Sequence, residues 1–104
     1  MAAIFSVMYP SAPGGRFDMD YYMSVHMPLV EDVFGPTGLR SWTVVEGVRA
    51  LGGGEPTFRV MTHLTFDTMA DLNASVEGPN AHRAFADIPM YTDITPVKQI
   101  SETV

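Results

Sequence analysis

From Thr57 to Phe66 the chain alternates. Phe58, Val60, Thr62, Leu64 and Phe66 fall on one side, and Arg59, Met61, His63 and Thr65 on the other. That two-residue period marks a half-buried strand. Ala2 to Tyr9 reads the same way, with Ala3, Phe5, Val7 and Tyr9 on one face, until Pro10-Ser11-Ala12-Pro13-Gly14-Gly15 breaks it. Leu39 to Arg49 is rich in β-branched and aromatic residues, Arg40, Trp42, Val44 and Glu46 alternating with Ser41, Thr43 and Val45, and predicts another strand. A last one is expected over about Thr92 to Ile100. Ala50 to Pro56, with Gly52-Gly53-Gly54, reads as a hairpin loop, since no Lys-Ser/Thr and helix follow to make a phosphate cradle.

Between these strands the period changes to that of helices. Met19, Tyr22, Met23, His26, Val30 and Val33 recur at three- and four-residue steps and form one inward stripe, with Asp20, Ser24, Glu31 and Asp32 mostly off it. Asp18 suits the N-cap, and Asp20 suits the positive end of the helix dipole. Pro28 lacks the N–H that would bond the Ser24 carbonyl, which predicts a kink just past His26. The helix is expected to stop at Gly35-Pro36 with a left-handed glycine cap. Asp67 is placed to cap a second helix through Met69, Leu72, Asn73 and Val76, and Gly78-Pro79 separates that from a short helix over Asn80 to Phe85.

The order β, α, β, β, α, β closes most simply as a ferredoxin-like α+β sandwich, a four-stranded antiparallel sheet with its helices on one face. At 104 residues it is expected to be one domain, 1–104. The uncovered sheet face still carries Met8 and Met61, so a homodimer closing sheet against sheet is the economical arrangement.

Composition narrows the function classes. The formal charge is −6 and the six Lys and Arg are scattered, which excludes a basic patch for nucleic acid and disfavours an anionic membrane surface. No run approaches the ~18 apolar residues of a spanning helix. With no basic leader and no apolar h-region at the N-terminus, cytoplasmic residence is the default expectation. The chain has no Cys, so disulfides, thiolate nucleophiles, iron–sulfur clusters and Cys-based zinc sites are excluded.

His26 is the best general acid/base candidate, since an imidazole among aromatic and Met side chains has its pKa lowered by desolvation and can exchange a proton near neutral pH. The competing reading is a core histidine bonded to Tyr22, to the Ser24 carbonyl or to a buried water. Tyr22, one turn earlier, either orients the imidazole, donates to a ligand oxygen or is plain core. Phe17, Trp42 and Tyr91 suit the lining of a flat apolar pocket, with Asp87 or Asp93 at its mouth. Each is equally compatible with ordinary packing, and Asp93 with a turn cap. His63 shares the more polar strand face and is expected at the dimer interface, and His82 is expected to be exposed. Three histidines on three elements lack metal-site spacing, so no metal is expected. No Ser sits in a nucleophile elbow.

Several of these residues form a longer pattern. Tyr9-Pro10, Gly15-Arg16-Phe17-Asp18, Tyr21-Tyr22, His26-Met27-Pro28-Leu29, Phe85, Ile88-Pro89, Tyr91-Thr92-Asp93-Ile94, Pro96 and Gln99-Ile100-Ser101 together resemble the short EthD family over nearly the whole chain. The resemblance implies the dimeric α+β barrel fold, similar to small cofactor-independent monooxygenases, muconolactone isomerases and polyketide-tailoring cyclases. It also implies a cavity between sheet and helices with His26 and Tyr22 as pocket residues. Members are often called oxidoreductases, and no flavin, nicotinamide or haem fingerprint accompanies the pattern here, so no cofactor is expected. Two functions remain: an enzyme acting on a small hydrophobic aromatic, polyketide-like or lactone compound by His-mediated proton transfer or cofactor-free oxygen chemistry, or a noncatalytic binder using the same cavity.

Overall fold

The computed structural model describes all 104 residues. Strand β1 (Ala3–Pro10) leads through a turn to helix α1 (Met19–Tyr21), a π-helical turn (Tyr22–His26) and helix α2 (Met27–Phe34). Strands β2 (Leu39–Glu46) and β3 (Phe58–Phe66) follow as a hairpin, then helices α3 (Met69–Val76) and α4 (Ala81–Ala86), a 3-10 turn (Ile88–Met90) and strand β4 (Val97–Glu102). The sheet order is β2-β3-β1-β4, antiparallel throughout. This is the expected ferredoxin-like α+β sandwich, its helices layered on one sheet face.

Alternation dictates which side chains meet those helices. Ala3, Phe5, Val7 and Tyr9 of β1, and Val60, Leu64 and Phe66 of β3, are buried with Val30, Val33, Phe34 and Leu72 in one core. Buried Thr62 shares that inward parity and is its polar exception. On the opposite face, β-pairing lays Val45, Met61, Met8 and Val97 side by side across all four strands, and Thr43, His63, Ser6 and Gln99 form the neighbouring row. Ser6 Oγ and His63 Nδ1 share a 2.7 Å hydrogen bond within that polar row. No helix covers this face. Val45 and Val97 are 39% and 47% exposed, a larger apolar outlay than a solvated sheet face needs.

Several local expectations are corrected. The helix irregularity is a wide turn ending at His26, not a kink just past it: Met27 N–H bonds the Tyr22 carbonyl, five residues back, and Pro28 falls in the first turn of α2, where an N–H is dispensable. That wide turn moves Met27 onto the inward face, fully buried, and leaves Met23 41% exposed although the regular period placed it inside. Gly35 stays right-handed, and the left-handed residue is Gly38 (φ +106°), after a 3-10 turn over Gly35–Thr37. A Cβ on Gly38 would also meet the Asp71 side chain at 2.9 Å.

β2 stops at Glu46 rather than Arg49, and just beyond it a Cβ at position 47 would lie 2.2 Å from the Phe58 carbonyl oxygen, a close approach that Gly47 permits. β4 begins at Val97 rather than Thr92, since Thr92 is drawn into a bridge with Phe17 and Pro96 intervenes.

The cap of α3 is Thr68, whose Oγ1 accepts Asp71 N–H at 3.0 Å, whereas Asp67 faces solvent and pairs with Arg40 at 2.9 Å. Thr68→Ala should therefore cost about 1 kcal/mol in urea unfolding, as loss of a cap does. Asp67→Ala should cost well under that, as loss of an exposed ion pair does. The reverse ranking would restore Asp67 as the cap.

Candidate functional site

The π turn is what assembles the site. It places Tyr22 and His26 one above the other on the sheet-facing side, their rings stacked at 5.0 Å between centroids and 17° between planes. Tyr91, arriving from the 3-10 turn, packs against both, 4.6 Å from the His26 ring and 4.8 Å from that of Tyr22. Phe17 and Tyr9 complete an aromatic cluster around them. Tyr9 and Tyr91 share a 2.6 Å hydrogen bond between hydroxyls, and the Tyr22 hydroxyl bonds Thr62 on β3. Burial raises the pKa of Tyr9, Tyr22 and Tyr91 far enough that all three stay neutral phenols.

His26 is only 6% exposed. Its Nδ1 lies 3.0 Å from Asp87 Oδ2, and the other carboxylate oxygen accepts the Tyr21 hydroxyl at 2.8 Å. Because a carboxylate only accepts, Nδ1 is the protonated nitrogen of the neutral ring and Nε2 carries the lone pair. Desolvation lowers the His26 pKa below the ordinary histidine value, against the smaller upward pull of Asp87. The Tyr21 phenol is raised chiefly by its bond to Asp87. Neither alternative core partner foreseen for His26 in the protein, the Tyr22 hydroxyl or the Ser24 carbonyl, bonds it. Tyr22 stacks on the ring instead, and its hydroxyl goes to Thr62.

A cavity of about 30 Å³ opens beside this imidazole, between sheet and helices. Phe5, Val7 and Tyr9 of β1, Thr62 and Leu64 of β3, and Tyr22, His26, Met27, Val30 and Phe34 of the helical segment wall three sides. Ala84, Phe85 and Ile88 close the fourth. Eleven of the thirteen lining residues are hydrophobic, which leaves His26 and Thr62 as the polar exceptions apart from the two phenols. The space is enough for one or two waters. It is far below the ~300 Å³ of an ordinary ligand pocket, so an organic molecule requires a wall to move.

The structure brings His26 and Tyr22 into the cavity wall. It sets Phe17 and Tyr91 behind them as packing. Trp42 and Asp93 lie elsewhere, contrary to their expected place at the pocket. Trp42 sits on the edge strand opposite Leu64 and borders a separate notch with Glu31, Gly35 and Arg40. Exposed Asp93 accepts the Arg16 N–H at 2.8 Å and ties down the loop before β4. Asp87, by contrast, touches the imidazole itself. Nothing in the local pattern joins it to a histidine 61 residues away. Thr62 did leave a trace, as the hydroxyl among the inward positions of β3. No group of three His, Asp or Glu stands together to hold a metal, and no helix is long and apolar enough to cross a membrane.

An EthD domain model matches residues 16–95. The fold superimposes on an EthD-like protein from Ralstonia eutropha with a TM-score of 0.88 at 36% identity, covering 99% of this chain and 92% of that one. A dimeric ferredoxin-like protein of unknown function from Jannaschia gives 0.66 at 18% identity, covering 99% and 100%. SnoaB, a cofactor-independent oxygenase from Streptomyces nogalater, gives 0.65 at 8% identity, covering 99% and 93%. The last two likenesses are of fold alone. No curated protein matches the sequence.

Neutral, buried His26 makes stability depend on acid. Between the ordinary histidine pKa of about 6.5 and the lower folded value, the unfolded chain binds a proton that the folded one refuses. This contribution is complete above pH 6.5 and is lost as pH falls toward the folded value. The urea midpoint should therefore drop more steeply between about pH 7 and pH 5 in the unaltered protein than in His26→Gln. Equal slopes would contradict a depressed His26.

Proposed function

Because the chain belongs to the EthD domain family, we propose that it is a small enzyme that moves a proton on a hydrophobic, enolisable or phenolic compound without a bound cofactor. The observation that carries this reading is the setting of His26: an imidazole kept neutral, with Nδ1 engaged by Asp87 and no protein group bonded to Nε2, beside an apolar cavity. Such a ring takes a proton from a carbon next to a carbonyl, or from a phenol hydroxyl, leaving an enolate or phenolate, and returns it at another atom of the same molecule. The sum is an isomerisation or cyclisation with no change of oxidation state. The Tyr9, Tyr22 and Thr62 hydroxyls, already paired, are the hydroxyls of the cavity lining that could meet a substrate oxygen. A substrate enters by displacing Phe85 and Ile88, half-buried side chains flanking Asp87 on the outermost wall.

The fold is shared with the Streptomyces oxygenase, and oxidoreductase chemistry on an enolate would use the same first proton removal. The apolar lining equally suits a noncatalytic binder of the same compounds. We also propose that the open sheet face closes against a second copy. The row Val45, Met61, Met8 and Val97 supports this, as does the dimeric neighbour of the same fold.

His26→Ala, assayed on quinone, lactone and phenolic candidates, should lower turnover by about 10²- to 10⁴-fold while ligand binding persists, the range for loss of a general acid/base. Unchanged turnover removes the catalytic role. Saturable binding with no turnover of any candidate favours the binder.

A further inference from the structure

We infer that Asp87 is the positioning residue of this site: it holds His26 in the Nδ1–H tautomer so that Nε2 offers its lone pair to the cavity, and the Tyr21 hydroxyl sets how much of the carboxylate's charge reaches the ring. The inference rests on the reading of His26 as the proton-transfer group, and it adds two residues that do not themselves line the cavity.

The geometry gives Asp87 two partners and no third. One oxygen takes Nδ1–H at 3.0 Å and the other takes the Tyr21 O–H at 2.8 Å, so the carboxylate spans from α1 to the end of the π turn. Its own place is the joint between α4 and the 3-10 turn, and its side chain is 14% exposed. An imidazole alone has two neutral tautomers, and which one is present depends on what the other nitrogen bonds. Here that choice is made by a group that can only accept. The stacking of Tyr22 and the packing of Tyr91 then hold the ring in its plane.

Tyr21 acts at one remove. A hydrogen bond donated to one carboxylate oxygen draws charge away from the other, and so weakens the carboxylate's support for an imidazolium. The titratable groups facing His26 are Asp87, Tyr22 and Tyr91, with Tyr21 beyond Asp87 and Tyr9 behind Tyr91. Among them Asp87 is the one carboxylate. Deleting the Tyr21 hydroxyl and neutralising Asp87 should therefore move the ring in opposite directions, which a merely structural role would not do.

Long-range proton–nitrogen correlation spectra of the histidine rings across pH, without substrate, read both tautomer and titration. The unaltered protein should show His26 as Nδ1–H. Tyr21→Phe should keep that tautomer and shift the titration upward, and Asp87→Asn should shift it downward and let the Nε2–H form appear. An Nε2–H ring in the unaltered protein, or a Tyr21→Phe titration that stays in place, overturns the inference. Should Asp87→Asn fail to fold, Tyr21→Phe at the half-exposed rim decides alone. The outcome is separable from the proposed activity. Opposite shifts with no turnover of any candidate would sink the proton-transfer reading and leave the positioning intact, whereas turnover beside an unmoved titration would do the reverse.

Discussion

A carboxylate bonded to an imidazole out of water is the contact on which the rest of this site turns. Burial opposes charge on His26 and Asp87 favours it, and burial is the larger of the two. The ring is thereby neutral and oriented at once, a combination that neither effect would give alone. An exposed histidine would be mobile and partly charged near neutrality, and a buried one without Asp87 would be free to choose its tautomer. The same contact joins two segments far apart in sequence, so the wall formed by α4 and the 3-10 turn is held to the first helical segment through the very groups proposed to carry the chemistry.

The architecture was legible because it depends on periods. Alternation in β1 and β3 assigns nearly every inward side chain, and Asp18 marks the helix start to the residue. Where expectation failed, a single neighbour decided. Thr68 outcompeted Asp67 because its hydroxyl lies next to the first helical residue, and Gly38 rather than Gly35 turns left-handed because a 3-10 turn extends the helix past its apolar stripe. Met27 and Met23 exchanged places because a regular 3.6-residue step does not anticipate a five-residue hydrogen bond.

The site was legible in half. His26 and Tyr22 stood out because a titratable ring and a phenol fell on an apolar stripe. Trp42 and Asp93 drew attention only as residue types suited to a pocket, and their actual places follow from strand order, which puts β2 at the sheet edge and the loop before β4 against Arg16. Asp87 suits the pocket mouth by residue type, but its bond to His26 needed the tertiary fold. Its partners come from residues 21 and 26, and a chain reading has no term for a carboxylate arriving from the far side of the molecule.

The π turn also has a bearing on how sequences of this kind can vary. Dropping one residue from between Tyr22 and His26 would let the helix relax to its regular pitch, with the loss taken up inside the turn and the flanking residues kept close to their present phase. Tyr22 and His26 would then stand three residues apart, about 60° around the axis, and their stacking would be undone although both rings remain. Spacing through this stretch is thus as much a part of the proposed site as identity, and a relative that preserves the histidine but shortens the turn before it would inherit the fold without the stacked pair.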